Sequence, residues 1–172
     1  GLIFTEYFGG DNAMGGLNGI NVAKYNGVTK LYSPQFAVIP GFKTILNVIN
    51  ANAEDADITV TLHRPDGSAI GQPYKTKLVK NAQLKGDLAT IFKNDPAVVN
   101  VTGWLEVAST KDRTVGAISF TNEAATFLTS FELLGTPLNN MIFPTVAQNE
   151  AFGTGVALLN NNPDPSSVYV EV

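Results

Sequence analysis

The chain has 172 residues, of which 44% are hydrophobic and 15% are charged, with a formal net charge of −4 and no cysteine. This balance is typical of a folded domain rather than of a disordered segment. The lack of cysteine excludes thiol catalysis, disulfides and thiolate metal sites. A net negative charge without a basic patch argues against a nucleic-acid partner. The apolar runs are too short to predict a membrane-embedded segment.

Alternation of apolar and polar residues predicts a succession of short strands. The clearest, in chain order, are residues 43–50, 57–64, 74–80, 101–109, 114–122 and 126–134. One stretch departs from this alternation, because Leu88, Ile91 and Phe92 are spaced as on a helix and Asp87 is placed to cap it. Many short strands separated by polar turns predict an all-β, antiparallel sandwich or barrel.

The last thirty residues repeat an earlier part of the chain. Residues 33–62 align without a gap on residues 143–172 when they are shifted by 110 positions. The identical pairs are Pro34/Pro144, Ala37/Ala147, Phe42/Phe152, Thr44/Thr154, Asn50/Asn160, Asn52/Asn162 and Val60/Val170. Five further pairs keep their apolar character: Leu46/Val156, Val48/Leu158, Ile49/Leu159, Ile58/Val168 and Leu62/Val172. We therefore predict that residues 143–172 are a second copy of the first strand–turn–strand hairpin.

A shorter match relates the beginning of the chain to a later hairpin at a shift of 116 positions. It pairs Phe4 with Phe120, Thr5 with Thr121, Leu17 with Leu133 and Gly19 with Gly135. The change of shift falls at residues 20–32, whose polar, Asn- and Gly-containing sequence predicts a linker.

These matches predict three parts. Residues 1–20 are the last hairpin of one repeat, residues 31–136 are a complete repeat of about seven strands, and residues 138–172 are the first strands of a following repeat. The terminal strands are the predicted interaction elements, through Phe4, Leu17, Phe152, Val168, Val170 and Val172. Three arrangements remain open: pairing of both ends within one chain, pairing between neighbouring chains, or continuation of the array in a longer chain.

Five segments carry a family resemblance: "FPTVAQNEAFGTGVALLNNN", "SPQFAVIPGFKTILNVINAN", "ITVTLHRPDGS", "TGWLEV" and "VGAISF". Through them the chain resembles the tandem immunoglobulin-like β-sandwich repeats of bacterial secreted and cell-surface proteins. The resemblance implies an immunoglobulin-like sandwich with one complete and two partial repeats. It also implies a spacer, adhesion or assembly role, extracellular or at the cell surface, without catalysis.

The sequence offers no catalytic set and no cofactor site. His63 is the only histidine, it follows a predicted strand beside Arg64, and no G-x-S-x-G elbow accompanies it, so we expect a solvated or half-buried surface residue. Glu54, Asp55 and Asp57 are the calcium candidates, because hard cations prefer oxygen ligands. A solvated acidic turn is the interpretation we favour for them.

Two further sets have an alternative interpretation as binding residues. A carbohydrate-binding module would expose aromatic residues in a row, such as Tyr32, Tyr74 or Trp104, although a single strand tryptophan more often anchors a core. Four lysines surround one predicted strand: Lys75, Lys77, Lys80 and Lys85. They indicate either contact with an anionic polymer or, as we prefer, an edge strand that charge protects from aggregation.

The sequence thus predicts a non-enzymatic structural protein that self-associates or packs on neighbouring repeats. Polymerisation by strand complementation is one of the open arrangements, and a carbohydrate-binding sandwich that takes a glycan is the alternative.

Overall fold

The computed structural model describes residues 4–8, 14–138, 140–142, 146, 149–150 and 154–171. For residues 4–8 and 14–18 it describes the backbone alone. The chain divides into two compact units, Gly1–Thr136 and Pro137–Val172. Within the described residues, every strand and helix lies in the first unit.

Ten strands and two short helices make up the regular structure. The strands are β1 (Phe4–Phe8), β2 (Met14–Asn18), β3 (Lys30–Val38), β4 (Phe42–Asn50), β5 (Ala56–His63), β6 (Ala69–Leu78), β7 (Gln83–Asp87), β8 (Val101–Ser109), β9 (Thr114–Asn122) and β10 (Leu128–Glu132). The helices are a 3₁₀ helix (Val22–Tyr25) and α1 (Leu88–Ile91). No helix among the described residues is long and apolar enough to cross a membrane.

Strands β3 to β10 form two four-stranded antiparallel sheets. Sheet 1 has the strand order β10-β9-β4-β7, and sheet 2 has the order β3-β8-β5-β6. Strands β1 and β2 pair with each other as a separate antiparallel hairpin. The predicted all-β antiparallel sandwich is therefore confirmed, with eight strands in its two sheets where the sequence indicated about seven.

The additional strand is β7, which the alternation did not predict. Its sequence QLKGD places a single apolar side chain, Leu84, on the inner face, opposite Val48 of β4. One apolar residue is too little to produce a period of two. The strand forms because β4 offers it an edge of backbone hydrogen-bonding groups.

The segment that the sequence interpreted as a hairpin is a β-arch. Strand β4 belongs to sheet 1 and β5 to sheet 2, so the turn between them carries the chain across the core. We call residues 42–63 the first arch and residues 154–171, which repeat residues 44–61, the second arch. In the first arch, Leu46 and Val48 face Ile58 and Val60, and all four side chains are buried.

The core forms between the two sheets from the inward-facing residues of both. Its largest fully buried side chains include Phe36, Leu31, Leu46, Ile58, Leu62, Leu105 and Ile118. Burying each such side chain contributes about 1.5–3 kcal/mol relative to leaving it exposed. The alternation of the strands places these residues on one face of each sheet and leaves the opposite face to polar and half-buried groups.

The predicted helix forms, shorter than its sequence window. Asp87 caps α1, and its Oδ1 accepts a hydrogen bond from the Ala89 amide at 3.2 Å. Leu88 and the C-cap residue Phe92 are buried in the core. The helix therefore closes the sandwich where the chain passes from β7 to β8.

The linker prediction for residues 20–32 is wrong. Tyr25 is buried, and its hydroxyl donates to the carbonyl oxygen of Leu133 at 2.7 Å and contacts Glu132 Oε1 at 2.5 Å. Leu31, on β3, is also buried. The polar neighbours of these residues dominate the local composition, which conceals the two side chains that join this segment to the core.

Tyr25 should make the sandwich sensitive to alkaline pH. Burial, and then the hydrogen bond and charge of Glu132, raise the pKa of Tyr25 far above the usual value. This stabilisation is complete below about pH 10, where the unfolded tyrosine titrates, and is lost as pH rises further, by up to about 1.4 kcal/mol per pH unit. Urea titrations at pH 9 to 11 should show the slope. Tyr25→Phe should reduce it, whereas Tyr169→Phe, at an exposed position, should not.

The second unit contains no strand among its described residues. Val168 and Val170 keep the spacing of two that is typical of a strand, but residues 154–171 form no β-strand pairing among the described residues. In the first arch, β4 lies between β9 and β7 and β5 lies between β8 and β6. A strand needs such neighbours for its backbone groups, so the spacing alone does not produce one.

Candidate functional site

The corner of the first arch is organised by Asn50. This side chain is fully buried, and its Nδ2 donates to the carbonyl oxygens of Glu54 at 2.7 Å and Leu78 at 3.0 Å. Its Oδ1 accepts from the Asn52 backbone amide at 3.1 Å and from Asn52 Nδ2 at 2.9 Å. Asn50 thus holds the turn and ties it to the end of β6.

The second arch reproduces the local half of this corner. Asn160 Nδ2 donates to the Asp164 carbonyl oxygen at 2.7 Å, and Asn160 Oδ1 accepts from the Asn162 amide at 3.1 Å. These are the repeat positions of Glu54 and Asn52. The bonds that Asn50 makes to β6 have no equivalent within the described part of the second unit. The repeated sequence therefore builds the same turn without its tertiary partners.

The apolar stripe of the second arch is exposed to solvent. Val156 and Leu158 are 48% and 47% exposed, and Val168 and Val170 are 58% and 65% exposed. Their repeat positions Leu46, Val48, Ile58 and Val60 are all 1% exposed or less. Exposed apolar side chains whose repeat counterparts form part of a core mark a candidate interaction site. The second arch is therefore the strongest candidate for a functional surface.

The other predicted interaction residues are described less fully. Phe4 and Leu17 lie on β1 and β2, where the backbone alone is described. Phe152 and Val172 lie outside the described residues. Val168 and Val170 are the two members of this set whose exposure supports an interaction role.

A second candidate surface is an aromatic cluster on the outer face of sheet 2. The rings of Trp104 and His63 stack with centroids 3.8 Å apart and planes 6° from parallel. The ring centroids of Tyr32 and Trp104 are 6.4 Å apart, and their ring planes are tilted by 48°. The core interpretation of Trp104 is therefore wrong, since its neighbours Leu105 and Val107 are the residues that face inward. His63 is half-buried, as expected.

The geometry of this cluster does not favour sugar stacking. A sugar ring needs the open face of an aromatic side chain, and His63 covers one face of the Trp104 indole. Tyr74, the third aromatic of the proposed row, pairs with the inward-facing Val60 and so lies on the inner face of sheet 2. The centroids of its ring and the Phe92 ring are 6.0 Å apart. The row thus contains two of the three aromatics, and the accessible area of the larger one is reduced.

The acidic turn does not bring its carboxylates to one point. Glu54 forms an ion pair with Lys111, which lowers the pKa of Glu54. Asp55 Oδ1 accepts from the Lys80 backbone amide at 3.3 Å, and Asp57 lies on β5, facing outward. Within the described residues, no group of three or more His, Asp or Glu side chains could hold a metal ion. The calcium interpretation therefore gains no support.

The lysines mark the open side of the sandwich. Strand β6 is the last strand of sheet 2 and β7 the last strand of sheet 1. Lys75 and Lys77 of β6 and Lys85 of β7 are exposed on these two edges. This arrangement supports the interpretation of an edge strand that charge protects from uncontrolled pairing.

A cleft of about 310 Å³ lies between the β3–β4 turn and the loop before β8. Its carboxylates include Asp87, which caps α1, and Asp95, which accepts from the backbone amides of Gln72 at 2.6 Å and Ala97 at 3.0 Å. His63 is not among its lining residues. These carboxylates therefore hold backbone in place rather than forming an acid–base pair.

The sequence located the repeated asparagines but not their role, and it missed the His63–Trp104 stack. A signal for the stack was present, because Trp104 alternates with the apolar residues Leu105 and Val107 and so must face away from them. The partners of Asn50 at and just after the end of β6, Leu78 and Val79, are 28 and 29 residues away in the chain. No local pattern predicts such contacts.

Comparison with known proteins supports the fold alone. No family model matches the chain, and no curated protein matches it. A crystal structure described as Thermotoga maritima 1070 superposes with a TM-score of 0.53 at 15% identity, covering 64% of this chain and 97% of that one. A structure described as the Anabaena sensory rhodopsin transducer superposes with a TM-score of 0.41 at 17% identity, covering 55% of this chain and 94% of that one. The first likeness shows an all-β antiparallel fold compatible with a β-sandwich.

Proposed function

We propose that the chain is a non-enzymatic structural protein that self-associates through its β-strands. The observation that carries the proposal is the second arch, which repeats the corner of the first arch while its apolar stripe stays exposed. The residues at the corresponding positions of the first arch are buried by neighbouring strands. A second set of strands is therefore the partner that this segment fits.

The physical basis is the cost of leaving such a segment unpaired. Isolated pairs of strands are marginally stable in water, and unpaired strand backbone invites pairing with another chain. A contact between the second arch of one molecule and a different surface of the next is heterologous. Such contacts generate rings or open filaments, which suits a role in assembly or adhesion.

This role belongs outside the cytoplasm, at or beyond a bacterial cell surface. The support is the resemblance of the repeated segments to the tandem repeats of secreted and cell-surface proteins. Neighbouring repeats of such an array would present the same kind of partner as a second molecule. Both sources share one chemistry, a β-strand edge beside an apolar face.

Light scattering on the purified chain, with its intact covalent mass, tests the proposal. We expect a covalent mass near 18.3 kDa and a native mass that grows with concentration. Val156→Asp combined with Leu158→Asp should abolish this growth, because both changes place charge on the exposed stripe. Ala157→Asp is the matched control, since the residue alternates with the stripe and should leave assembly unchanged.

A native mass of one chain at every concentration would overturn the proposal. Assembly that survives Val156→Asp with Leu158→Asp would show that another surface is responsible. The unfolding of the first unit, followed by the fluorescence of Trp104, should be the same in all these variants, because the substitutions lie in the second unit.

The alternative function is carbohydrate binding on the outer face of sheet 2, where the rings of Tyr32 and Trp104 are neighbours. Trp104 is the only tryptophan, so its emission reports on this site directly. Titration with a panel of glycans would shift the emission of a carbohydrate-binding module. We expect no shift, because His63 already covers one face of the indole.

A further inference from the structure

The two sides of the sandwich differ in how their strand edges are covered. On one side, the edge of β3 is covered by Leu134: the Tyr32 amide donates to the Leu134 carbonyl at 2.8 Å, and the Leu134 amide donates to the Tyr32 carbonyl at 3.1 Å. On the same side, β2 lies beside β10. On the other side, β6 and β7 each have one strand neighbour among the described residues. An added strand therefore has access to β6 and β7.

Strand β6 offers the better edge of the two. The N-terminal half of β6 offers few free backbone donors, because the Gln72 amide already donates to Asp95 Oδ2 and Pro73 has no amide hydrogen. The Leu78 carbonyl already accepts from Asn50 Nδ2, so residues 74–77 are left as a stretch that pairs only with β5 in the described structure. Strand β7, by contrast, has only 5 residues against the 10 of β6 and continues directly into α1.

Charge is strongly segregated along the chain. All 11 Lys and Arg residues lie between Lys24 and Arg113. Residues 114–172 contain no Lys or Arg, and their carboxylates are Glu123, Glu132, Glu150, Asp164 and Glu171. The exposed strand edge with Lys75 and Lys77 and the exposed strand-like segment with Glu171 are therefore opposite in charge.

We propose that residues 166–171 of one copy add as a strand to residues 74–77 of β6 in a second copy, with Glu171 beside Lys75 and Lys77. This inference rests on the proposed function and names the surface that receives the second arch. The docking is a β-strand addition, in which backbone hydrogen bonds supply affinity and side chains supply specificity.

The alternation of side chains fits this docking. In the first arch, Ile58 and Val60 face inward, and their repeat positions are Val168 and Val170. With these valines turned inward, Tyr169 and Glu171 face outward. Lys75 and Lys77 also face outward, because they lie opposite Thr59 and Asp57 on β5. Opposite charges on neighbouring strands therefore meet on one face.

The lysines also select the partner. Two β6 edges from different copies would bring like charges together, which opposes symmetrical edge-to-edge pairing. The acidic segment escapes this repulsion. The assembly is therefore head-to-tail, and each copy contributes one acidic strand and one basic edge.

Charge reversal tests the docking. Lys75→Glu combined with Lys77→Glu should raise the dissociation constant of assembly by about tenfold or more, because attraction becomes repulsion at the added strand. Lys80→Glu combined with Lys85→Glu is the matched control. It makes the same change in net charge at exposed lysines outside β6 and should leave the dissociation constant within about twofold of the parent chain. Glu171→Lys should weaken assembly as the β6 double variant does.

Mixing the variants separates charge pairing from misfolding. The β6 double variant and the Glu171→Lys variant should each assemble poorly alone. An equimolar mixture should regain assembly, because each chain then meets a partner of opposite charge at both contacts. Failure of the mixture to assemble would overturn the docking, as would a β6 double variant that assembles like the parent chain.

Isotope labelling decides whether the strand comes from a second copy. Carbodiimide treatment of mixed ¹⁵N-labelled and unlabelled parent chains should join Glu171 to Lys75 or Lys77 in peptides of mixed isotope composition. Cross-links confined to one isotope would place the strand on its own β6 and overturn the docking between copies. If the parent chain does not assemble at all, the proposed function itself fails. If it assembles but is insensitive to β6 charge, this docking alone fails.

Discussion

Gly103→Ala is expected to destabilise the sandwich by at least about 3 kcal/mol. A Cβ added at Gly103 would lie 1.9 Å from the His63 carbonyl oxygen and 3.0 Å from the His63 carbonyl carbon. Both atoms are backbone of the neighbouring strand β5, so no side-chain rotation relieves the overlap. Strands β5 and β8 would have to separate where Trp104 stacks on His63.

Urea denaturation followed by Trp104 fluorescence measures this effect, and the native emission of Trp104 should change as well. Gly155→Ala is the matched control, because nothing lies within 4 Å of its added Cβ. We expect that control to stay within about 0.5 kcal/mol of the parent chain. A Gly103→Ala variant as stable as the control would show that β5 and β8 are farther apart than the structure places them.

The sequence predicted the fold where the signal was local. Alternation located β4, β5, β8 and β9 within a residue or two of their bounds, because one face of each strand is buried. Asp87 was identified as a cap because a capping side chain bonds to amides only two or three residues further along. These features depend on neighbours in the chain and can be predicted from it.

The errors arise where tertiary contacts decide the structure. Tyr25 lies among polar residues, and its burial depends on Leu133, 108 residues away. The sequence predicts a hairpin where the structure has an arch, because sequence spacing cannot distinguish a turn within a sheet from one between sheets. The usual behaviour of tryptophan in sandwiches predicts a core position for Trp104, whereas the alternation around it indicates the outer face.

The candidate site was predictable in part for the same reason. The repeat located the second arch, since identical residues at a constant shift need no structure to be detected. That its stripe is exposed while the first stripe is buried follows from the strands beside each arch, which the sequence does not specify. The lysine edge was recognised as an edge from its charges, but its position opposite the covered side of the sandwich required the strand order.

Asn50→Ala should cost about 3 kcal/mol or more, whereas Asn160→Ala should leave the stability of the sandwich unchanged within about 0.5 kcal/mol. Loss of the Asn50 side chain leaves the Leu78 carbonyl and the Asn52 amide without their buried partner, and an unsatisfied buried group costs about 1–3 kcal/mol. Asn160 makes the same local bonds, but it is exposed, and water replaces them.

The pair of variants therefore compares one residue in one turn with and without tertiary partners. Urea midpoints read from Trp104 fluorescence give both values, because the only tryptophan lies in the first unit. A midpoint for Asn50→Ala equal to that of Asn160→Ala would mean that the buried bonds of Asn50, including its link to β6, contribute little to the stability of the sandwich. A large cost at Asn50 alone would show that the turn is shaped by its own sequence and stabilised by the strands around it.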